Sequence, residues 1–262
     1  MPHQTLSFEV DDAVAIISMN RPEEANTITQ LFAEEFSEVA IACASSTEIR
    51  SVILTARGQF FSAGGDLAGL ANSGDSLPAD LRKLTAPFHS AISRLSRMDQ
   101  PLITAINGPA AGAGLSLAML GDYAIASEAA KFTMAYSAVG LSPDGASSYL
   151  LPRLIGVRKT AELMITNRTL SAAEAMEWNM VNEVCPADEL MGRAQALASQ
   201  LALGPTKSYG AIKALLLDSL SATLETQMEA EARYIAAMAD TEDGNEGIGA
   251  FLEKRQPVFS GK

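Results

Sequence analysis

Two glycine-rich segments are the places in this 262-residue chain where the backbone itself could do chemistry. One reads Phe60-Phe61-Ser62-Ala63-Gly64-Gly65-Asp66-Leu67 and the other Asn107-Gly108-Pro109-Ala110-Ala111-Gly112-Ala113-Gly114. Side chains this small let a ligand approach the main chain. A helix starting near Gly112 would turn unpaired N–H groups and the positive end of its dipole outward. One N–H from each segment would then hold an oxygen that gains negative charge during a reaction. Tight strand-to-helix packing without a ligand accounts for either segment taken alone, and neither is a GxxxxGKS phosphate loop or a GxGxxG dinucleotide loop.

The candidate carboxylate is Asp144, in Ser142-Pro143-Asp144-Gly145. Pro143 fixes its own φ and Gly145 allows a sharp turn, which puts the carboxylate at the mouth of a helix running toward Leu151. On local sequence it is an N-cap; in an apolar pocket beside an oxyanion site it becomes an acid/base. His89, one of two histidines, flanks a helix beside the core-facing Phe88 and Ile92.

The elements that must carry these groups alternate. Strand-like runs at 6–10 and 14–19 flank a hairpin turn at Asp11-Asp12, and a helix follows Thr29 with Leu31, Phe32, Phe36 and Val39 at helical spacing. SVILT at 51–55 leads into the first glycine segment, a helix near 78–97 leads to LITAI at 102–106, and a further strand is expected at 123–126. This alternation defines an α/β fold. Past residue 204 the strand signals stop, and 208–217, 224–238 and 248–254 read as amphipathic helices. A tail this short must pack on its own core or on a neighbouring subunit. The uncharged stretch 101–121 has the length of a membrane span, but Asn107-Gly108-Pro109 interrupts it and splits it into strand, turn and buried helix.

Composition narrows the partners. The hydrophobic class is 48% and charged residues 19%, so a core is well supplied. Lys and Arg number 19 against 31 Asp and Glu, a net charge of −12 that opposes nucleic acid and anionic membrane. An anionic ligand therefore needs a local cation. Cys43 and Cys185 stand alone, outside any metal-ligand spacing, so inert thiols and no metal are expected. The start MPHQTLSFEVDD shows no basic, apolar leader, which suggests a cytoplasmic protein.

The ordered motifs MNRPEEANTI, FFSAGGDL, INGPAAGAGLSLAMLGDYAIASEAAKF, GLSPDGASSYLLPRLIG, ELMITNRTLSAAEAMEWNMVNEV and GAFLEKRQPVFSGK resemble the crotonase (enoyl-CoA hydratase/isomerase) superfamily almost end to end. The resemblance implies a spiral of ββα turns over 1–203 with the acyl-CoA site, and a C-terminal helical trimerisation region over 204–262. It implies an acyl-CoA thioester substrate, coenzyme A entering only as part of it, no other cofactor, and a homotrimer or dimer of trimers. Gly65 and Ala113 match the two oxyanion donors, with Ala113 standing where glycine is usual. Ser116 and Tyr136 match the two glutamates of hydratases. Asp144 matches the acid of Δ3-Δ2-enoyl-CoA isomerases and ring-epoxyphenylacetyl-CoA isomerases. The resemblance places coenzyme A along Glu24, Ala25, Thr27, Ala63, Asp66 and Leu67, with Arg21 as a local cation and Phe251 and Lys254 reaching over from a neighbour. An isomerase is therefore expected. Its rivals are an atypical hydratase, a 4-chlorobenzoyl-CoA-type dehalogenase with Asp144 as nucleophile and His89 as base, and a non-catalytic acyl-CoA binder.

Overall fold

The computed structural model describes residues 3–262. Strands β1 (Leu6–Asp11) and β2 (Val14–Met19) form an antiparallel hairpin with Asp11 opposite Val14. The turn thus falls one residue later than expected, on Asp12 and Ala13, whose φ of 42° and 67° suit the twist of a tight hairpin. Helix α1 (Gln30–Ser45) is capped by the Thr29 side chain. Phe32, Phe36 and Val39 are buried on it, but Leu31 is exposed, because the inward face also takes Ala33, Ala40 and Cys43 and turns Leu31 off it.

After β3 (Ser51–Ala56) the chain forms a short helix α2 (Leu67–Leu70), a 3-10 turn (Ala71–Ser76) and the long α3 (Leu77–Arg97). Then β4 (Leu102–Ile106), β5 (Ala110–Ala111) and α4 (Ala113–Ala118) follow, and the uncharged stretch resolves into strand, turn, strand and short helix. β6 (Tyr123–Ser127), β7 (Lys131–Thr133), α5 (Ser147–Ile155), α6 (Val157–Thr166), β8 (Leu170–Ser171), α7 (Ala172–Glu177), β9 (Glu183–Cys185) and α8 (Leu190–Ala202) complete the core.

The larger sheet runs β1-β2-β3-β4-β6-β9, parallel from β2 onward; the smaller runs β5-β7-β8. The later turns of chain pass from the large sheet to the small one, β4 to β5 and β6 to β7, while the earlier turns meet there only through the isolated bridges Ile28–Gly65 and Ser62–Ala110. Buried on both faces, β3 and β4 read as continuous apolar runs. One face packs on α1 and α3, where Phe32 stacks on Phe36 at 5.4 Å. The other face packs on the alanine stripe Ala194, Ala198 and Ala202 of α8.

The C-terminal helices are α9 (Thr206–Ser219), α10 (Leu224–Ala239) and α11 (Glu242–Glu253), the last starting six residues before the apolar pattern that announced it. Its Asp243 carboxylate accepts from Ser260 and Gly261 N–H and draws the terminus back. α10 buries none of its own residues and leaves Leu224, Met228 and Ile235 open. Both cysteines are free and buried; burial pushes the Cys43 thiol up to about 12. No helix among the described residues is long and apolar enough to cross a membrane.

Candidate active site

The two glycine segments meet backbone to backbone. Ser62 C=O accepts from Ala111 N–H at 2.8 Å, and a Cβ on Gly64, whose φ is +93°, would lie 2.7 Å from Ala111 O and 3.3 Å from Ala113 N. Only glycine fits there. Ala25 C=O takes the Ala63 N–H and Ile28 C=O the Asp66 N–H, while Ile28 N–H donates to Gly64 C=O. That pairing leaves Gly65 N–H facing away from Ile28. Ala113 opens α4, where a helix has no carbonyl for its first N–H groups. Among the described residues no oxygen accepts from either N–H. Ala113 is buried yet lines a cavity, so an oxygen bound there can accept its N–H.

Both residues line one apolar cavity of about 100 Å³, whose walls include Leu67, Leu70, Leu81, Leu84, Val139 and Leu141. Asp144 is its one acidic lining residue. The carboxylate is not an N-cap, contrary to the local sequence reading. Gly145 and Ala146 both take left-handed φ, 62° and 64°, so the chain reverses after Asp144 and Ala146 occupies the cap position. A Cβ on Gly145 would lie 2.8 Å from Ser116 Cβ and 3.1 Å from the Phe88 ring, so glycine is required where α3, α4 and this turn converge.

The side chain freed from capping is held by neutral groups. Tyr136 O–H donates to Asp144 Oδ1. Burial, and then the Asp144 charge, push the Tyr136 phenol above its usual range, so it stays the donor. Ser116, fully buried on α4, donates from Oγ to the Asp144 backbone carbonyl at 2.9 Å, and Ser147 Oγ does the same at 2.9 Å. His89 Nε2 sits 3.7 Å from Asp144 Oδ2 and accepts from Gly145 N–H at 3.2 Å. An accepting Nε2 is the neutral tautomer with its proton on Nδ1. Half of the His89 side chain is exposed, and it does not line the cavity.

The remaining candidates divide. Ala63, Leu67 and Tyr136 line the same cavity, and Asp66 lines the hollow beside it while its carboxylate caps α2. Glu24, Ala25 and Thr27 lie on the neighbouring loop outside the cavity, and Arg21 is turned inward there, donating to Thr27 C=O at 3.0 Å. Phe251 on α11, 82% exposed, and Lys254 just past its end do not line it either. Sequence reasoning passed over Asn26 and Ser62. Asn26 Nδ2 donates to Arg57 and Phe60 carbonyls, both at 2.8 Å, and Ser62 Oγ donates to Asn26 C=O at 2.8 Å. Together they pin the first glycine segment. The available signal was an Asn in a charged turn, the residue type that tolerates its φ of 53°. Among the described residues no cluster of His, Cys, Asp and Glu could hold a metal.

A spiral of paired strands and helices with two free N–H groups and a carboxylate around an apolar cavity is the site of a crotonase-fold protein. The sequence profile of the enoyl-CoA hydratase/isomerase family matches residues 9–262, and the chain belongs to that family. It is 38% identical to the 1,2-epoxyphenylacetyl-CoA isomerase of Escherichia coli K12 over 255 residues, 97% of each chain. It is 33% identical to 4-chlorobenzoyl coenzyme A dehalogenase-2 of Arthrobacter sp., over 95% of this chain and 91% of the dehalogenase. The crystal structure of an enoyl-CoA hydratase from Polaromonas sp. JS666 superposes with a TM-score of 0.91 at 32% identity, covering 97% of this chain and 99% of that one.

Proposed function

We propose that this chain is an acyl-CoA isomerase that shifts a double bond, or rearranges a ring epoxide, through an enolate. The observation that carries the reading is a single carboxylate, Asp144, lining the cavity that Gly65 and Ala113 also line. The thioester carbonyl accepts from those two N–H groups. Asp144 takes a proton from C2 of a 3-enoyl thioester, the dienolate charge collects on the bound oxygen, and the proton returns at C4 to give the conjugated isomer. One acid suffices, because it removes and returns the same proton. Each oxyanion donor is worth roughly 10²–10³ in rate. Tyr136 O–H donates to one carboxylate oxygen and fixes its orientation. Coenzyme A enters as part of the substrate, with Glu24, Ala25, Thr27, Ala63, Asp66 and Leu67 as its proposed bed. The open apolar side chains of α10 and α11 support the homotrimer or dimer of trimers, through which a neighbour's Phe251 and Lys254 would reach the nucleotide.

Ser116 and Tyr136 argue against efficient hydration, since both hydroxyls are spent on Asp144 and neither position carries an acid. The 3.7 Å between His89 and Asp144 and the 33% identity to a 4-chlorobenzoyl coenzyme A dehalogenase favour a dehalogenase. Against it, Tyr136 is the one aromatic residue lining the cavity. The deciding experiment is turnover of 3-hexenoyl-CoA, crotonyl-CoA and 4-chlorobenzoyl-CoA side by side with the wild type and Asp144→Asn. Conversion of the 3-enoyl thioester by the wild type alone is expected. Rapid hydration of crotonyl-CoA by both proteins would sink the reading, and chloride release would replace it with the dehalogenase.

A further inference from the structure

The two oxygens of Asp144 are treated differently. Oδ1 accepts the Tyr136 O–H, and among the described residues no hydrogen bond reaches Oδ2, which leaves Oδ2 to take a proton from substrate. His89 Nε2 stands 3.7 Å from that open oxygen. The lone pair on Nε2 is already in use, because it accepts the Gly145 N–H at 3.2 Å, and among the described residues no other group accepts that N–H. Gly145 is where the chain reverses after Asp144, with a φ of 62°, so a side chain from α3 clamps the turn that frees the carboxylate from capping.

Half of the His89 side chain is in water, so protons reach it from solvent. One turn away on α3, Thr85, Ala86, Ile92 and Ser93 carry no charge. α1 meets this stretch through Phe36 against Phe88, and α4 reaches the turn through Ser116 beside Gly145; neither contact brings a charge. The turn itself brings Asp144, the one carboxylate within 4.0 Å of the imidazole among the described residues. A change of charge on His89 therefore acts on Asp144 first.

We infer that His89 is a positioning residue for Asp144 that works only while its imidazole is neutral, which makes the reaction pH-gated. The inference rests on the reading of Asp144 as the isomerase base. It gives His89 no contact with substrate, in keeping with its place outside the cavity. When a solvent proton adds to Nε2, the Gly145 N–H loses its acceptor and the turn loses its clamp. The new Nε2–H then stands beside Oδ2 and donates to the oxygen that the C2 proton of substrate requires. Falling pH thus loosens the turn and occupies the base together. The N–H groups of Gly65 and Ala113 and the apolar wall take no part in this, so kcat falls while KM holds.

The test pairs kinetics with a readout that needs no turnover. kcat and KM for 3-hexenoyl-CoA are measured across the imidazole range for the wild type, His89→Gln and His89→Leu, and the Gly145 amide is followed over the same range by proton–nitrogen correlation NMR. Wild-type kcat is expected to fall about tenfold between about pH 8 and 5.5, with KM unchanged. His89→Leu, which has no acceptor for the Gly145 N–H, should lose about tenfold in kcat already at the alkaline end. The amide oxygen of His89→Gln accepts the same N–H without titrating, so this variant should recover most of that loss and stay within about twofold across the range. In the wild type the Gly145 amide proton should move as the imidazole titrates, and in His89→Gln it should not. An acid limb that survives in His89→Gln, a His89→Leu as fast as the wild type, or a Gly145 amide that stays still while the imidazole titrates overturns the inference. If either variant does not fold, the wild-type amide titration decides alone. Absence of turnover in all three proteins overturns the isomerase reading, and the amide titration still decides whether His89 clamps the turn.

Discussion

Two aspartates in this fold are answered in opposite ways. Asp122 Oδ2 accepts from Leu102 N–H at 2.8 Å and from the Lys213 ammonium at 2.7 Å. Lys213, buried on α9, also donates to Gln100 C=O at 2.9 Å and Leu95 C=O at 3.3 Å, so one cation ties the helical tail to the sheet. Among the described residues Asp144 has no Lys or Arg partner: a phenol holds one oxygen, and the His89 imidazole, whose Nε2 accepts from Gly145 N–H, stands 3.7 Å from the other. A cation offsets part of what burial costs a charged carboxylate, which serves an anchor. Neutral donors orient a carboxylate while leaving its proton free to come and go. Carboxylates serve at anchors and at active sites alike, and the partner set tells these two apart.

Substitutions should dissociate these roles. Asp144→Asn is expected to lower isomerase kcat by about 10³ while leaving the thermal midpoint near wild type, since the amide oxygen still accepts from Tyr136. Lys213→Met should do the reverse. It strands the Leu95 and Gln100 carbonyls and costs about 2 kcal/mol, a fall of roughly 4–8 °C in Tm, with kcat within about twofold. If Lys213→Met lost activity without losing stability, Asp122 would not be a mere anchor. Tyr136→Phe is the finer test. Losing a hydrogen bond to a charged group should lower kcat about tenfold and leave KM unchanged; a fall in Tm with normal kcat would make that bond structural.

How much of this was legible in the sequence follows from how far each interaction reaches. The glycine segments and the strands before them were legible because small residues and unbroken apolar runs are local signals, and β3 and β4 fall where SVILT and LITAI put them. β5 and β8, two residues each, are too short to carry a pattern and exist only because neighbouring turns of the spiral bring them together. Leu31 fits helical spacing but falls outside the buried face. Asp144 was visible as a carboxylate in a tight turn, yet not as an uncapped one. Its freedom depends on Ala146 taking a left-handed φ, which an alanine does not advertise. Ser116 and Tyr136 were noticed as positions lacking an acid. That both hydroxyls converge on Asp144 is a tertiary fact, as is the tie from Lys213 to Asp122.

The smallest expected effect is also the most direct test of the anchor. Apolar surroundings push the Asp122 carboxyl above its ordinary value, and the charge and hydrogen bond of Lys213 only partly offset them. The native chain therefore holds that proton to a higher pH than the unfolded chain does. Between the ordinary 3.8 and the raised native value the folded state binds more protons, so this group's contribution to stability falls as pH rises through that window. Glu35 acts in the opposite direction: burial raises it, but hydrogen bonds from Thr5 and Gln4 win and lower its pKa. The wild-type curve alone is therefore ambiguous, and the difference from Asp122→Asn isolates the aspartate. Urea midpoints between about pH 3 and 7 should converge or cross as pH falls, with the wild type regaining on the variant at the acid end. The change stays modest because 35% of the Asp122 side chain remains in water. Parallel curves would mean that Lys213 cancels the desolvation completely. Asp122 would then be a simple ion pair, and its contrast with Asp144 would lie only in the presence of the cation.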